Sequence, residues 1–196
     1  MRLEFWFDFA STYSYIAAMR IQGLCEREGV TLVWVPFLLG PIFQLQGWND
    51  SPFNINERRG AYMWRDLSRL AAKYGVPWKK PTKFPRASTL AARVACANGS
   101  EPWCADFIRD IFVANFGQDR DIGDPGVVSG VLDKLGLPAA DLMARAVDDA
   151  HRTLLRANVE RAIALGIFGA PNCLVNDELF WGEEALEDAL AWLKRR

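Results

Sequence analysis

The chain has 196 residues, of which 51% are hydrophobic and 24% charged, with a formal net charge of −1. This length suits one domain, or a small domain that contains an insertion. The balanced charge gives no electrostatic basis for binding nucleic acid or an anionic membrane. No apolar stretch approaches about 18 residues, and Met1-Arg2 leads directly into a predicted strand. We therefore expect neither a membrane span nor a signal peptide, and a cytoplasmic protein.

The first elements follow a strand–helix–strand pattern. Alternating apolar residues predict a strand over residues 2–8. A helix is predicted over about residues 13–28, ended by Gly29, and a second buried strand over residues 30–37. A unit of this length implies a parallel strand pair with a right-handed crossover.

The middle of the chain is predicted to be almost entirely helical. Residues 40–52 are rich in Gly, Pro, Asn and Trp and are expected to form a loop. Helices dominate from about residue 56 to residue 165, where Gly166 ends the last of them. Within this stretch, apolar residues at helical spacing predict helices over 88–98, 102–115, 126–135 and 139–147.

The last part of the chain returns to strands. Cys173–Val175 and Leu179–Trp181 are predicted to form a hairpin around Asn176-Asp177, followed by a final helix. The resulting order is βαβ, a helical block, then αββα, which is a thioredoxin fold divided by an insertion. We therefore predict a discontinuous thioredoxin-like domain, residues 1–40 plus 150–196, and an inserted helical domain, residues 41–149.

The cysteines form no recognisable motif. They are Cys25, Cys96, Cys104 and Cys173. Their positions lack the spacing of metal ligands, and a single histidine leaves little for zinc, so no metal site is expected. Cys25 and Cys104 fall on apolar helix faces. We expect all four to be reduced, structural thiols.

The most informative stretch is the turn after the first strand, where Ser11 and Ser14 open a helix. Thioredoxin-like proteins present a reactive Cys-x-x-Cys at such a turn, and both cysteines are absent here. A helix N-terminus offers unpaired N–H groups and the positive end of the helix dipole, which favour an anion such as a thiolate. Because the chain does not supply this thiolate, a thiol cofactor is its expected source.

Several motifs together indicate a family. They are Phe7-Asp8-Phe9-x-Ser11-x-Tyr13-Ser14-Tyr15, Gly169-x-Pro171 and Phe180-Trp181-Gly182-Glu183-Glu184, with a middle segment over 46–54 and 59–66. With these motifs the chain resembles, over essentially its whole length, the 2-hydroxychromene-2-carboxylate isomerases. These are close relatives of kappa-class glutathione transferases and more distant relatives of the disulfide oxidoreductase DsbA. The resemblance implies an α/β, thioredoxin-like fold of the DsbA and kappa type, with an all-helical domain inserted after the first βαβ unit.

The resemblance implies a catalytic role for Ser11, whose hydroxyl would hydrogen-bond the glutathione sulfur and help to keep it ionised. Such help is needed because a free thiol, with a pKa of about 8.5, is only a few per cent ionised near neutral pH. The alternative is that Ser11 is only a helix N-cap. Pro171 would be a cis-proline facing this turn, and Ala170 would offer its backbone N–H and C=O to the cysteinyl part of glutathione.

The resemblance also implies contacts to the two ends of glutathione. Backbone amides at Gly182, Glu183 and Glu184, at the start of the last helix, would hold the γ-glutamyl carboxylate, and Glu184 would pair with the α-amino group. The alternative is an acidic first turn that complements the helix dipole. Arg59 would reach the glycine carboxylate, unless it is simply a solvated helix charge, and Asn49 would contact the tripeptide.

Aromatic residues near the proposed site are expected to form a substrate pocket. They are Phe37, Trp48, Phe53 and Tyr62. Aromatic residues more often belong to the core, but a loop position makes Trp48 and Phe53 difficult to bury against a sheet.

The function implied by the resemblance is glutathione-dependent cis-trans isomerisation of the 2-hydroxychromene-2-carboxylate type in aromatic-compound catabolism. The implied steps are thiolate addition, ring opening, bond rotation and elimination, with a small aromatic or chromene-type molecule as substrate and a homodimer as the assembly. Two alternatives stay open: a kappa-like glutathione transferase that acts on another electrophile, and a non-catalytic thioredoxin-fold module. The absence of a cysteine near the turn argues against a disulfide oxidoreductase.

Overall fold

The computed structural model describes residues 1–195 and contains a mixed four-stranded sheet. The strands are β1 (Arg2–Phe7), β2 (Thr31–Pro36), β3 (Asn172–Val175) and β4 (Glu178–Trp181), in the order β2-β1-β3-β4. β1 runs parallel to β2 and antiparallel to β3, with Phe5 opposite both Trp34 and Cys173. The predicted parallel pair and the predicted C-terminal hairpin are therefore confirmed.

Helices surround this sheet. In chain order they are α1 (Thr12–Glu28), α2 (Leu39–Leu45), α3 (Pro52–Ile55), α4 (Glu57–Tyr74), α5 (Thr89–Ala97), α6 (Cys104–Phe112), α7 (Pro125–Lys134), α8 (Ala139–Ala146), α9 (Asp149–Ala164) and α10 (Leu186–Leu193), with a π-helical turn over Val113–Gly117. α1 begins at the Ser11 cap, and Gly29 ends it in the left-handed conformation that glycine adopts most readily. Among the described residues, no helix is long and apolar enough to cross a membrane.

Apolar residues pack on both faces of the sheet because successive side chains of β1 point to opposite sides. Leu3, Phe5 and Phe7 belong to the larger cluster, which also contains apolar residues of α1 and of the helices between β2 and β3. Trp6 points the other way, into a smaller cluster with Phe37 and residues of α9. The larger cluster joins the sheet to the helical middle of the chain, and the division at residues 41 and 149 stays a prediction.

The structure corrects the expectation that residues 40–52 form only a loop. Leu39–Leu45 is the helix α2, although its N-cap residue Leu38 makes no side-chain hydrogen bond to it. The Asp8 carboxylate, at the end of β1, accepts the Leu39 N–H at 2.7 Å instead. A proline is tolerated in a first helical turn because the N–H that it lacks has no partner within the helix. Gly40-Pro41 therefore lies in the first turn of this helix and does not prevent it.

All four cysteines are free. Cys25, Cys104 and Cys173 are buried, and Cys96 is partly buried. Burial raises the pKa of Cys25 to about 11 and the pKa values of Cys96 and Cys104 to about 12. Since the thiolate is the reactive form of cysteine, these residues are poorly suited to thiol chemistry.

Candidate functional site

A cleft of about 1180 Å³ opens beside the N-terminus of α1. Its walls come from the β1–α1 turn, from α2 to α4, from the loop before α5 and from the segments around β3 and β4. The expected site residues that line it are Ser11, Trp48, Asn49, Phe53, Arg59, Tyr62, Ala170, Gly182, Glu183 and Glu184. The fold therefore brings together residues from both ends of the chain and from its helical middle.

Ser11 is the N-cap of α1 and also faces the cleft. Its Oγ accepts the N–H of Ser14 at 3.2 Å, which satisfies one of the unpaired donors at the helix N-terminus. Its hydroxyl donates to the carbonyl oxygen of Ala170, also at 3.2 Å. Ser11 is only 8% exposed. The capping role and the site position thus coexist in one side chain.

The Ala170–Pro171 peptide bond is cis, as predicted. Ala170 lines the cleft, and Pro171 is buried behind it. The N–H of Gly182, just after β4, donates to the carbonyl oxygen of Pro171 at 3.0 Å. The proline turn is therefore hydrogen-bonded to the segment that carries Glu183 and Glu184.

Glu183 and Glu184 do not open the last helix, since α10 begins at Leu186. They lie in the bend before it. Gly182 in this bend has a φ of +108°, a backbone conformation that residues other than glycine rarely adopt. A Cβ on Gly182 would lie 2.7 Å from a carboxylate oxygen of Glu184, so this carboxylate is folded against the Gly182 backbone. Glu184 is exposed, whereas the Glu183 carboxylate is buried against Arg20 at 2.7 Å.

Arg59 lies on the α4 wall of the cleft, in the first turn of that helix. Its guanidinium is 5.9 Å from the centre of the Phe53 ring. Arg58 lines the same cleft, and neither arginine forms an ion pair with another described residue. This wall therefore offers two positive charges that no described carboxylate neutralises.

Phe37 lies outside the cleft, in contrast to the pocket role expected for it. It is fully buried, and its ring packs against Trp6 with centroids 6.1 Å apart. The residue directly follows β2 and points into the smaller core cluster. Trp48 does line the cleft, where it packs against Phe43 at 5.7 Å, and Tyr62 is exposed at its edge.

Asp8 is a site residue to which the sequence analysis assigned no role. Asp8 lines the cleft and is 3% exposed. Its carboxylate accepts hydrogen bonds from the Ala10 N–H at 2.9 Å and the Ser88 hydroxyl at 2.7 Å, besides the bond from the Leu39 N–H. Burial raises the pKa of Asp8 above its usual range, although these hydrogen bonds act in the opposite direction. A carboxylate that directly follows an apolar strand and precedes a turn was the available sequence signal.

A second buried polar residue supports the same turn. The Asn115 amide, in the π-helical turn, donates to the carbonyl oxygen of Phe9 at 2.9 Å and accepts from the Arg86 guanidinium at 3.1 Å. Arg86 in turn pairs with Asp119. Single π-helical turns occur frequently near functional sites, and this one directs Asn115 toward the turn that contains Ser11.

Comparison with known proteins agrees with this architecture. The family model described as "DSBA-like thioredoxin domain" matches residues 2–193. A 2-hydroxychromene-2-carboxylate isomerase of Sphingobium xenophagum is 30% identical over 94% of each chain. The kappa 1 glutathione S-transferase of Caenorhabditis elegans is 24% identical over 90% of this chain and 81% of its own.

A solved structure gives the corresponding result for the fold. A structure of a 2-hydroxychromene-2-carboxylate isomerase superposes with a TM-score of 0.87 at 26% identity, covering 98% of this chain and 96% of the other. The expected thioredoxin-like fold of DsbA type is therefore confirmed. The chain belongs to the DSBA-like thioredoxin domain family and, within it, to the enzyme family of the 2-hydroxychromene-2-carboxylate isomerases.

Proposed function

We propose that the protein is a glutathione-dependent cis-trans isomerase of the 2-hydroxychromene-2-carboxylate type. The observation that supports this most directly is the position of Ser11, whose hydroxyl caps α1 and donates to the main-chain oxygen of Ala170, in the wall of the same cleft. This is the place where a thiolate would gain both a hydroxyl donor and the positive end of a helix dipole. The similarity to two enzymes of this name, in sequence and in structure, supports the same function.

The charged groups of the cleft suit glutathione. At neutral pH this tripeptide has two carboxylates, one ammonium group and one thiol. The cleft presents Arg58 and Arg59, which form no ion pair with another described residue, on the α4 wall. It presents the exposed Glu184 just after β4, with Ser11 between α1 and the proline turn. We assign Arg59 to the glycine carboxylate, Glu184 to the ammonium group, and the backbone at Gly182–Glu184 to the γ-glutamyl carboxylate.

Bound glutathione would supply a thiol nucleophile that is returned at the end of each cycle. The task of Ser11 is to donate its hydroxyl hydrogen to the sulfur, which lowers the thiol pKa and stabilises the negative charge. Ser11 would exchange its bond to Ala170 for this one, and the released carbonyl oxygen of Ala170 would accept a backbone N–H of the ligand. The cap on Ser14 uses a lone pair of Oγ and is retained.

The rest of the cleft is large enough for a second molecule. Pockets for small ligands commonly have volumes of roughly 300–1,000 Å³, and this cleft exceeds that range at about 1180 Å³. Its aromatic lining includes Trp48, Phe53 and Tyr62. We assign this surface to an aromatic or chromene-type substrate, which it would orient toward Ser11 and shield from water.

The decisive experiment combines binding with turnover. Isothermal titration of the purified protein with glutathione should show saturable binding, and the isomerisation of 2-hydroxychromene-2-carboxylate should depend on added glutathione. Absence of binding at millimolar glutathione would contradict the proposal and favour a non-catalytic module.

A kappa-like glutathione transferase is the second candidate, because a kappa-class relative matches most of the chain. The two candidates share the glutathione site and differ in the fate of the thiol. A transferase should consume glutathione in proportion to product, for example with a generic aromatic halide, whereas an isomerase should leave the glutathione concentration unchanged. Conjugation of the halide without any turnover of the chromene would identify the transferase.

A further inference from the structure

Arg20 connects α1 to the segment that contains Glu183 and Glu184. The Arg20 Nη1 donates to the main-chain oxygen of Glu183 at 3.1 Å and to the Glu183 carboxylate at 2.7 Å. The Arg20 Nη2 forms an ion pair with Glu187. The side chains of Arg20 and Glu183 are only 12% and 7% exposed. The planar guanidinium fork allows one side chain to donate in several fixed directions at once.

A third element fixes the guanidinium itself. The Arg20 guanidinium carbon lies 3.9 Å from the centre of the Tyr74 ring, at the end of α4. A cation over an aromatic face at this distance is attracted by the ring. Arg20 is therefore held by α4 on one side while it binds the Glu183 segment on the other.

These contacts belong to a series of hydrogen bonds that starts and ends at α1 and passes through the proposed glutathione site. α1 carries Ser11 at its start and Arg20 in its middle. Arg20 holds Glu183, Gly182 is bonded to Pro171, and Ala170 is bonded back to Ser11. Arg20 is not among the described residues that line the cleft. It therefore acts on the site indirectly, through the Glu183 segment.

We infer that Arg20 is a positioning residue for glutathione: it fixes the Gly182–Glu184 segment relative to Ser11, at the separation that the γ-glutamyl residue requires. It has a second effect on charge. Because Arg20 neutralises Glu183, the exposed Glu184 is left as the carboxylate of this segment that receives the single ammonium group. This inference rests on the proposed function, since it assumes that glutathione occupies the cleft with its γ-glutamyl end at Glu184.

A purely structural ion pair would have a different signature. Its removal would lower stability and weaken every ligand of the cleft to a similar extent. A positioning role for the γ-glutamyl end predicts a selective loss, confined to ligands that contain this end. Cysteinylglycine, which keeps the thiol and the glycine carboxylate but lacks the γ-glutamyl residue, separates these two cases.

The test compares Arg20→Gln and Arg20→Lys with the unmodified protein by isothermal titration. Lys194→Gln is the matched control, because the exposed Lys194–Glu28 pair also joins α1 to the α10 end of the chain. We expect Arg20→Gln to raise the Kd for glutathione at least tenfold, about 1.4 kcal/mol, and to change the Kd for cysteinylglycine less than twofold. The Kd of Arg20→Lys for glutathione should lie between those of the unmodified protein and Arg20→Gln, since an ammonium group keeps the charge but lacks the planar fork of the guanidinium. Lys194→Gln should bind both ligands normally.

Turnover provides the second measurement. In Arg20→Gln the KM for glutathione should rise with its Kd, while kcat at saturating glutathione stays within about threefold of the unmodified value. Equal losses for both thiols, or an unchanged glutathione Kd, would overturn the inference. If Arg20→Gln does not fold, Arg20→Lys decides, because full glutathione affinity in that variant excludes a requirement for the fork. Failure of the unmodified protein to bind glutathione would overturn the proposed function itself.

Discussion

The hydroxyl of Ser11 donates to the main-chain oxygen of Ala170, a residue 159 positions further along the chain. The same oxygen atom of Ser11 accepts the N–H of Ser14. The hydrogen and a lone pair of one hydroxyl thus serve two partners, Ala170 beside the cleft and Ser14 within α1. A ligand that takes the hydrogen can replace Ala170 without removing the cap from the helix.

Replacing Ser11 by alanine should lower turnover by about 100-fold or more, the ~3 kcal/mol scale of one lost donor to a developing or bound anion. The variant also loses an N-cap, which costs about 1 kcal/mol of stability. Steady-state kinetics and thermal denaturation measure the two effects separately. Asp124→Ala is the matched control, because it removes the cap of α7, a helix outside the cleft. Turnover of Ser11→Ala equal to that of this control would remove Ser11 from the mechanism.

Single changes at the two charged ends should weaken glutathione binding only modestly. Glu184→Gln and Arg59→Ala are each expected to cost about 1 kcal/mol of affinity, or a few-fold in Kd, because exposed charge pairs are weak. Turnover at saturating glutathione should change much less, since these contacts act on the ground state and the transition state alike. Arg65→Ala, on an exposed position of the same helix, should leave the Kd unchanged. Loss of turnover at full affinity would contradict the assigned pose.

Gly60→Ala should destabilise the protein and damage the Arg59 wall. A Cβ at Gly60 would overlap the main-chain oxygen of Phe53, in a contact between α3 and α4 that has no flexible side chain to yield. We expect a loss of about 1–3 kcal/mol in the free energy of unfolding, as in other overpacked sites. Gly23→Ala in α1, where an added Cβ meets only an arginine terminus at 3.6 Å, is the control. Similar denaturant midpoints for the two variants would show that α3 and α4 are not in close contact.

The Asp119 carboxylate should make stability depend on acid. The Thr82 N–H, foremost, and the Arg86 guanidinium lower its pKa to about 2. Because the folded pKa is below the unfolded one, the stabilisation is present above about pH 4 and is lost as the pH falls toward 2. Asp119→Asn should therefore have a lower melting temperature than the unmodified protein at neutral pH. Its melting temperature should also fall less between pH 4 and pH 2.

Asparagine is a suitable replacement, because Asp119 has a φ of +59° and asparagine also tolerates this conformation. The exposed Glu160→Gln on α9 is the control and should follow the unmodified protein throughout. A parallel pH profile for Asp119→Asn and the unmodified protein would exclude Asp119 as the source.

The protein should not act as a dithiol oxidoreductase. Ser11 and Ser14 occupy the turn, and its free cysteines have raised pKa values because they are buried or partly buried. In an insulin-reduction assay we expect no rate above that of free glutathione. A double variant with cysteine at positions 11 and 14 should gain weak activity. Rapid reduction by the unmodified protein would mean that one of its own thiols is reactive.

The sequence predicted the elements that have strong periodic patterns. Apolar alternation located β1, and Gly29 and Gly166 marked the ends of α1 and α9 within about two residues. Proximity of the site segments followed from the resemblance and not from the pattern itself. The position of Ser11 opposite Ala170 was foreseen in this way, and so was the cis bond.

The errors share a physical cause, which is that long-range contacts decided the local outcome. α2 was taken for a loop because its cap comes from Asp8, 31 residues earlier. Glu183 and Glu184 were placed at the start of the last helix, whereas α10 begins at Leu186 and the Glu183 carboxylate is buried against Arg20, 163 residues away. Phe37 was placed in the pocket because its aromatic character is visible in a sequence, while the face to which it points is not.

The capping of α2 by Asp8 has a consequence for altering this enzyme family. The anchor of the α2 wall is Asp8, which directly follows β1 and lies outside α2 itself. Leu45, at the end of α2, is 69% exposed, and Gln44 lines the cleft one position before it. Substitutions at such positions leave the anchor intact. A library that seeks new substrates is therefore best built on residues 43–46, with Asp8 kept constant.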